Sequence, residues 1–189
     1  YHTAWLKAHH CAAFMAATLS SDMDNTDTVK IFYEDTVANR VTVLGPDVNA
    51  SAYRFEPVDR QTIRYGLGAI KGTGQQAVEC IIKAREQDGA FKDLFDFCRR
   101  VDKRLVNRRT IEALIKAGAF DGLDGNRHRL LASVGIAMEF AEQAEKNAMQ
   151  VSLFDSGPAA EQHAPQYVEV KAWDEKEKLM QEKQALGFF

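Results

Sequence analysis

The sequence predicts a mainly α-helical fold with a few short strands, followed by a flexible linker and a last helix. Three observations predict this class. Apolar residues recur at helical spacing over most of the 189 residues. From residue 41 to residue 70, β-branched and aromatic residues alternate with Gly and Pro, a pattern typical of short strands. The stretch DSGPAAEQHAPQ, with small and polar residues and two prolines, is typical of a linker.

The first 62 residues are predicted to form helices and then short strands. HTAWLKAHHCAAFMAATLSS predicts a helix that can break near Cys11. TDTVKIFYEDTVANR predicts a second helix with Thr26 or Asp27 as its N-cap. The predicted buried face of that helix includes Val29, Phe32, Tyr33 and Val37. VTVLGPDVN and AYRFEPV predict short strands or extended connectors, and TIRYGLGAI predicts a short extended segment followed by an irregular helix.

Four helices are predicted between residues 75 and 147 and one more at the end of the chain. GQQAVECIIKAREQDG is a helix that Gly89 stops, and FKDLFDFCRRV is a short helix. Asn107 caps RRTIEALIKA, which Gly118 ends, and a further helix runs from about Asn126 towards Asn147. AWDEKEKLMQEKQALGFF predicts a charged helix with an apolar end.

Composition narrows the class of protein. The net charge of −3 argues against a free-standing DNA-binding protein held by electrostatics alone, although residues 99–109 are strongly basic. No apolar run approaches the roughly 18 residues that span a bilayer, so no membrane partner is expected. Three cysteines without a Cys-x-x-Cys pair indicate a reducing, cytoplasmic location.

AIKGTGQQAVECII, residues 69–82, carries the clearest functional signal. Gly72 and Gly74 can adopt positive φ cheaply, so the chain can turn tightly and leave backbone N–H groups pointing outward. The helix that follows adds unpaired N–H groups and a positive dipole end, and Ile70 anchors the bend in the core. This pattern is typical of a helix-hairpin-helix motif that binds a DNA backbone phosphate without reading bases. The predicted contacts are Lys71, Gly72, Thr73, Gly74 and Gln75; the alternative is a plain turn between core helices.

A second helix pair surrounds AGAFDGLDG. Asp121 and Asp124 would repel a phosphate there, so this hairpin is predicted to be a structural partner. Its predicted buried residues are Leu114, Ile115, Phe120 and Leu130. Arg108 and Arg109, at the opening of that pair, are predicted to reach a neighbouring DNA phosphate.

NAMQVSLFDSG is the second informative stretch. A short extended peptide can place Leu153 and Phe154 in a groove of a partner while Gln150 fixes the register by hydrogen bonds. The alternative is that both apolar residues attach the end of the preceding helix to the core. No paired carboxylates, Ser-His-Asp set or nucleotide-binding glycine loop predicts catalysis, and no metal ligands are predicted.

Several longer stretches carry a resemblance to a known family. They are YHTAWLKAH, FMAATLSSDM, VLGPDVNAS, IRYGLGAIKGTG, LFDFCRRVD, NRRTIEALIKAGAFD, QVSLFD and EKQALGFF. On these the chain resembles the C-family replicative polymerases of bacteria, the DNA polymerase III alpha subunits, over essentially its whole length. The sequence departs from the family at His10 and Cys11, where an aromatic residue and a proline are usual.

The resemblance implies a division of the chain. Residues 1–62 would be the C-terminal part of the fingers domain, with fingers-type helices, and residues 63–147 a tandem helix-hairpin-helix region that binds double-stranded DNA. Residues 148–158 would hold the peptide that binds the sliding clamp, and residues 159–189 a linker and helix that lead to an oligonucleotide-binding domain. The clamp-binding residues implied are Gln150, Ser152, Leu153 and Phe154.

The resemblance also implies a function. The chain would hold duplex DNA and dock the clamp during template-directed DNA synthesis, and other polymerase III holoenzyme subunits would bind elsewhere. The palm carboxylates that hold Mg²⁺ for nucleotidyl transfer lie in an upstream part of the family chain, so this chain alone would be inactive. Two alternatives remain: a stand-alone helix-hairpin-helix module of the repair or ligase type, and a purely structural helical domain.

Overall fold

The computed structural model describes residues 1–154 and 165–188, with side chains for residues 1–150 and 165–188. Within these ranges the chain forms eight α-helices and one small sheet, which confirms the mainly helical class. The helices are α1 (His2–His9), α2 (Cys11–Ser21), α3 (Thr26–Ala38), α4 (Gln75–Asp88), α5 (Leu94–Arg100), α6 (Arg108–Lys116), α7 (Arg127–Phe154) and α8 (Glu175–Leu186). The strands are β1 (Thr42–Leu44), β2 (Glu56–Asp59) and β3 (Thr62–Arg64).

The first predicted helix is broken, as expected, next to Cys11. His10 separates α1 from α2 with φ −133° and ψ 52°, outside the helical region. None of the residues of α1 is buried, whereas α2 buries Met15 and Leu19. The break therefore divides an exposed helix from one that joins the core.

The cap and the buried face of α3 differ from the prediction. Asn25, rather than Thr26 or Asp27, is the N-cap, and its side-chain oxygen accepts hydrogen bonds from the backbone N–H of Asp27 and Thr28 at 3.1 and 3.3 Å. Val29 is buried, but Val37 is exposed and Thr36 is buried in its stead. The hydroxyl of Thr36 can be buried because it donates to the carbonyl of Phe32 at 2.6 Å.

The sheet has the strand order β1-β3-β2. β3 pairs in parallel with β1 and antiparallel with β2, and an irregularity follows Pro57. After β3 comes a 3₁₀ turn, Leu67–Ala69, which confirms the expected extended segment followed by an irregular helix. The predicted boundary between residues 62 and 63 falls inside β3, and the division into domains stays a prediction.

The helices after the sheet follow their predicted stop and start signals. Gly89 ends α4 with φ 80°, and Gly118 follows α6 with φ 89°. Asn107 caps α6 by accepting from the N–H of Thr110 at 3.0 Å. The long helix α7 packs against both α5 and α6, and α8 packs against α6.

Helix α7 extends beyond its predicted end. Its backbone is helical to Phe154 rather than to about Asn147, so residues 150–154 are not an extended peptide. The sequence provides the reason, because no Gly or Pro occurs between Gly135 and Gly157 and good helix formers fill most of that interval.

Part of the predicted linker packs against the helices. The N–H of Leu94 donates to the Tyr167 hydroxyl at 3.1 Å, and the N–H of Val168 donates to Ser133 Oγ at 2.9 Å. Trp173 stacks on His128 with 5.4 Å between ring centroids. Residues 165–174 are therefore docked on α5 and α7, whereas the rest of the predicted linker lies outside the described residues.

One cluster of buried apolar side chains connects these elements. It includes Leu19 from α2, Ile63 from β3, Ile81 from α4 and Leu114 from α6. Phe188, after α8, belongs to the same cluster, so the end of the described chain returns to the core. None of the described helices combines the length and the apolar character needed to cross a bilayer.

Candidate nucleic-acid interface

The bend between the 3₁₀ turn and α4, residues 70–74, forms the first hairpin, and its two glycines differ. Gly72 has φ +87°, a conformation that L side chains rarely adopt. Gly74 has φ −77° and ψ 158°, which any residue adopts, and it is the N-cap of α4. Of the two glycines, therefore, only Gly72 adopts a positive φ.

Buried contacts hold the first hairpin in place. Ile70 is buried, as predicted. The Thr73 hydroxyl lies 2.7 Å from the carbonyl oxygens of both Leu67 and Ile70, and the Thr73 N–H donates to Ile70 at 3.3 Å. Thr73 is buried and both of its donors are engaged inside the bend, so this residue, expected among the DNA contacts, stabilises the hairpin instead of facing solvent.

Several backbone N–H groups of the first hairpin remain open. Within the described part of the chain, the N–H groups of Gly72, Gly74 and Gln75 have no hydrogen-bond acceptor, and Gly74 offers no side chain as a cap. All three residues are exposed. The N–H of Lys71 differs, because it donates to the carbonyl of Ala185 at 2.8 Å. The bend thus presents open donors at a helix N-terminus, where the dipole favours an anion.

Helix α6 begins directly beside the first hairpin. The Thr110 hydroxyl is within 3.3 Å of the Gly72 carbonyl, and Asn107 caps the same turn of α6. A methyl group placed on Gly72 would lie 3.9 Å from Ala113 Cβ. This contact brings the two predicted arginines, Arg108 and Arg109, close to the bend.

A cleft of about 440 Å³ opens between the first hairpin, α6 and the end of α8. Its lining residues are Lys71, Gly72, Asn107, Arg109, Glu112, Ala113, Lys116, Gln184 and Ala185. The cleft joins the exposed backbone of Gly72 to the exposed face of α6, so a bound anion could contact both.

The charges around this cleft are mostly cationic. Lys71, Arg109 and Lys116 form no ion pair with any described residue. Arg108 differs from its neighbour, because its Nε lies 2.9 Å from the Glu112 carboxylate. Glu112 is therefore partly neutralised, and the unpaired cations make the cleft suitable for a phosphate.

The loop between α6 and α7, residues 117–126, forms the second hairpin, and it is closed by ion pairs. Arg127, only 7% exposed, contacts Asp121 at 2.7 Å and Glu182 at 2.8 Å. Arg129 contacts Asp124 at 2.5 Å. As predicted, this hairpin buries Leu114, Ile115, Phe120 and Leu130. Both aspartates are engaged within the fold, so the second hairpin contributes packing.

The environment of Arg127 keeps it charged. Burial alone disfavours the cation, but hydrogen bonds from Arg127 to Asp121 and Glu182 outweigh burial and raise the pKa of its guanidinium. Gly118 lies against this side chain, because a methyl group added there would collide with Arg127 Nη2. The glycine is therefore required by the approach of the arginine as well as by its positive φ.

The predicted clamp-binding residues lie on the last turns of α7. Gln150 is exposed, and so is Met149 before it. The side chains of Ser152, Leu153 and Phe154 are outside the described residues. The structure therefore gives the backbone of this segment as helix and leaves the proposed anchors as predictions.

Sequence reasoning missed five lining residues of the cleft: Glu112, Ala113, Lys116, Gln184 and Ala185. The first three line the cleft only because α6 lies beside the first hairpin. The signal for Gln184 and Ala185 is the sequence ALGFF, in which a glycine and an aromatic residue follow a helix, a pattern typical of a helix end packed on the core.

The described residues do not fit a metal site. Among them, no three His, Cys, Asp or Glu side chains are grouped as they would be to hold a metal ion. The described residues therefore contain no donor set for a Mg²⁺ ion.

Comparisons with known proteins agree with this geometry. A family model described as a helix-hairpin-helix motif matches residues 40–130, which include both hairpins. Residues 40–130 are therefore similar to a helix-hairpin-helix motif, in agreement with the two hairpins of the fold.

Relatives extend the comparison over all 189 residues. The chain is 52% identical to DNA polymerase III subunit alpha of Neisseria meningitidis serogroup B and 43% identical to that of Vibrio cholerae. It is 41% identical to the subunit of Escherichia coli K12. Each match covers 100% of this chain and 16% or 17% of the relative, so the chain spans about one sixth of their length. These matches confirm the resemblance to the alpha subunits of bacterial DNA polymerase III.

Proposed function

We propose that this chain is the part of a replicative DNA polymerase that binds the backbone of duplex DNA and docks the sliding clamp during template-directed synthesis. The first hairpin and the adjacent cleft would bind a phosphate, and the end of α7 would bind the clamp. The polymerase assignment derives from the similarity of all 189 residues to about one sixth of the polymerase III alpha subunits.

One observation carries the DNA-binding proposal. The open N–H groups of Gly72, Gly74 and Gln75 lie at the start of α4, next to the unpaired cations Lys71 and Arg109. Such donors hold one phosphate oxygen without contacting a base, so binding would be independent of sequence. Gln75 is exposed, but its side chain is hydrogen-bonded to Glu79 at 2.8 Å, so we assign its contribution to its backbone.

The test is a duplex-binding titration by fluorescence anisotropy at several salt concentrations, with two unrelated DNA sequences. The chain should bind both alike, and its affinity should fall as salt rises. Lys71→Ala should weaken binding and reduce the slope of log affinity against log salt by about 0.9. Lys92→Ala is the matched control, because Lys92 is also exposed but lies beyond the opposite end of α4. A salt-independent response, or equal effects of both variants, would contradict the proposal.

The clamp-docking proposal relies on the order of residues at the end of α7. Gln150 is exposed there, and Leu153 and Phe154 follow within one turn of helix. Two apolar anchors beside a polar residue suit a preformed groove on a partner. We infer that Gln150, Ser152, Leu153 and Phe154 bind the clamp, either as this helix or after the helix unwinds.

Surface plasmon resonance with immobilised clamp tests this part. Changing both Leu153 and Phe154 to Ala should abolish binding, whereas Met149→Ala, at an exposed position one residue before the segment, should leave it unchanged. If the double variant binds the clamp with unchanged affinity, the clamp-docking proposal is wrong, and the DNA-binding proposal is unaffected.

We also infer that nucleotidyl transfer and its Mg²⁺ belong to another part of the polymerase, which would act in the cytoplasm with the other holoenzyme subunits. The described residues offer no group of metal ligands. A primer-extension assay of the 189-residue chain with Mg²⁺ should therefore show no nucleotide incorporation; measurable incorporation would contradict this inference.

A further inference from the structure

The C-terminal strap, which we define as residues 182–188, lies against the first hairpin on the side of the cleft. Its most direct contact is the hydrogen bond from the N–H of Lys71 to the Ala185 carbonyl, at 2.8 Å. Gln184 and Ala185 also line the cleft together with Gly72. One backbone donor of the hairpin is thus held by the strap, right beside the open donors.

The strap is fixed to the core at its end. Ala185, Leu186 and Phe188 are buried. The Phe188 ring packs on Tyr33 of α3 with 4.9 Å between centroids, and on Tyr65 at 6.4 Å. The strap therefore bridges the first hairpin and the N-terminal part of the chain.

Gly187 allows the strap to approach this closely. It has φ +88°, and a methyl group added to it would collide with Thr26 Cγ2 and lie 3.1 Å from Lys71 Nζ. The space between α3 and the Lys71 side chain is thus filled, and the strap can take this path only with a glycine at position 187.

The strap also connects the two hairpins. Glu182, at its start, contacts Arg127 at 2.8 Å, and Arg127 closes the second hairpin through Asp121. The first hairpin is therefore held in place by a segment that is itself attached to the second hairpin. A bend supported in this way keeps its donors oriented before a ligand arrives, which lowers the entropy lost on binding.

We propose that the strap positions the first hairpin for phosphate binding, with Gly187 and Phe188 as positioning residues that affect DNA affinity without contacting DNA. This inference rests on the proposed function. Because Gly187 and Phe188 carry no charge, changing them should weaken DNA binding without altering the number of ionic contacts.

The test is Gly187→Ala in the full chain, with duplex affinity measured over a range of salt concentrations. We expect affinity about tenfold weaker, equivalent to one charge-assisted hydrogen bond, with an unchanged salt slope. A direct contact behaves differently, since Lys71→Ala should make the slope shallower. Trp173→Ala is the control, because this aromatic residue anchors the preceding segment on His128 rather than on the hairpin.

A double variant and amide hydrogen exchange distinguish a positioning role of the strap from general destabilisation of the fold. Thr26→Ser removes the methyl group that Gly187→Ala would meet, so the double variant should recover part of the lost affinity. The Lys71 amide should exchange faster in Gly187→Ala, while the amide of Ile111 in α6, which donates to Asn107 at 3.1 Å, should keep its protection.

The outcomes distinguish the two proposals. If Lys71→Ala weakens binding while Gly187→Ala changes neither affinity nor Lys71 exchange, the strap proposal is wrong and the DNA-binding proposal stands. If neither variant changes duplex affinity, the DNA-binding proposal itself is wrong. Equal acceleration of the Lys71 and Ile111 amides would show general destabilisation and would also overturn the positioning role.

Discussion

The two hairpins share a glycine at positive φ but differ in how they treat charge. In the first hairpin, Gly72 is exposed and is followed by open backbone donors with unpaired cations nearby. In the second, Gly118 lies against Arg127, whose guanidinium is held by two carboxylates. The first hairpin keeps unpaired N–H donors and cations at its surface, whereas the second pairs its arginine with carboxylates of the fold.

This difference shows that two bends with a glycine at positive φ can differ in whether their polar groups are paired within the fold. The second hairpin contributes stability through the buried Arg127 guanidinium, which connects α6, α7 and α8. The first hairpin does without such partners, so its donors remain available for the phosphate that we propose. Substitutions should therefore affect mainly stability in the second hairpin and mainly binding in the first.

The largest effect is expected from Arg127→Ala. The variant would remove the buried guanidinium that donates to Asp121, Glu182 and the Lys116 carbonyl, and the free energy of unfolding should fall by about 3 kcal/mol. Urea denaturation measures this. Arg129→Ala, whose side chain is 37% exposed, should cost about 1 kcal/mol or less. Similar losses in both variants would argue against a special closing role of Arg127.

Gly118→Ala should have the next largest effect, about 2 to 3 kcal/mol of stability, because it adds a positive-φ cost and displaces Arg127. Gly125→Ala in the same loop is the control, since no described atom lies within 4 Å of its added methyl group and its φ is not positive. Thermal unfolding of the two variants would show the difference. A neutral Gly118→Ala would mean that the loop can rearrange around the arginine.

Gly72→Ala should cost less stability than Gly118→Ala, about 1 to 2 kcal/mol, because the positive φ is strained but the nearest side-chain atom is 3.9 Å away. Its duplex affinity should fall as the bend is distorted. Denaturation and anisotropy on the same preparation test both parts. If Gly72→Ala loses stability but keeps its duplex affinity, the bend does not take part in DNA binding.

The smallest effect on stability, and one of opposite sign, is expected from Gly74→Ser. The serine hydroxyl can cap α4 and should add about 0.3 kcal/mol of stability. The same hydroxyl would occupy an open N–H group, so duplex affinity should fall. Gly74→Ala, which cannot cap, serves as the comparison. Tighter DNA binding by the serine variant would refute the idea that these donors receive the phosphate.

Local signals in the sequence predicted much of the fold and the bend. Asn107, Gly89 and Gly118 are found at the helix ends where they were expected, and Ile70 is buried. Such signals act within one turn of helix, so the sequence alone is enough to locate them. The charge of Asp121 likewise indicated a structural second hairpin.

Contacts between distant parts of the chain were not predictable. The N–H of Lys71 is taken by Ala185, and Thr73 turns its hydroxyl inward, because of how the surrounding elements pack. Periodicity also failed to place the end of α7, since a sequence without stop signals can continue as helix or leave it. The docking of residues 165–174 depends on isolated side chains such as Tyr167, which composition does not distinguish from a linker.

The length of α7 has a geometric consequence. Its base is packed between α5 and α6, and at 1.5 Å per residue its 28 residues form a rod of about 42 Å. That is slightly more than the roughly 35 Å occupied by one turn of duplex. A partner that bound the end of α7 would therefore be held at a fixed distance from the packed part of the helix, and deleting one turn would shorten that distance by about 5 Å.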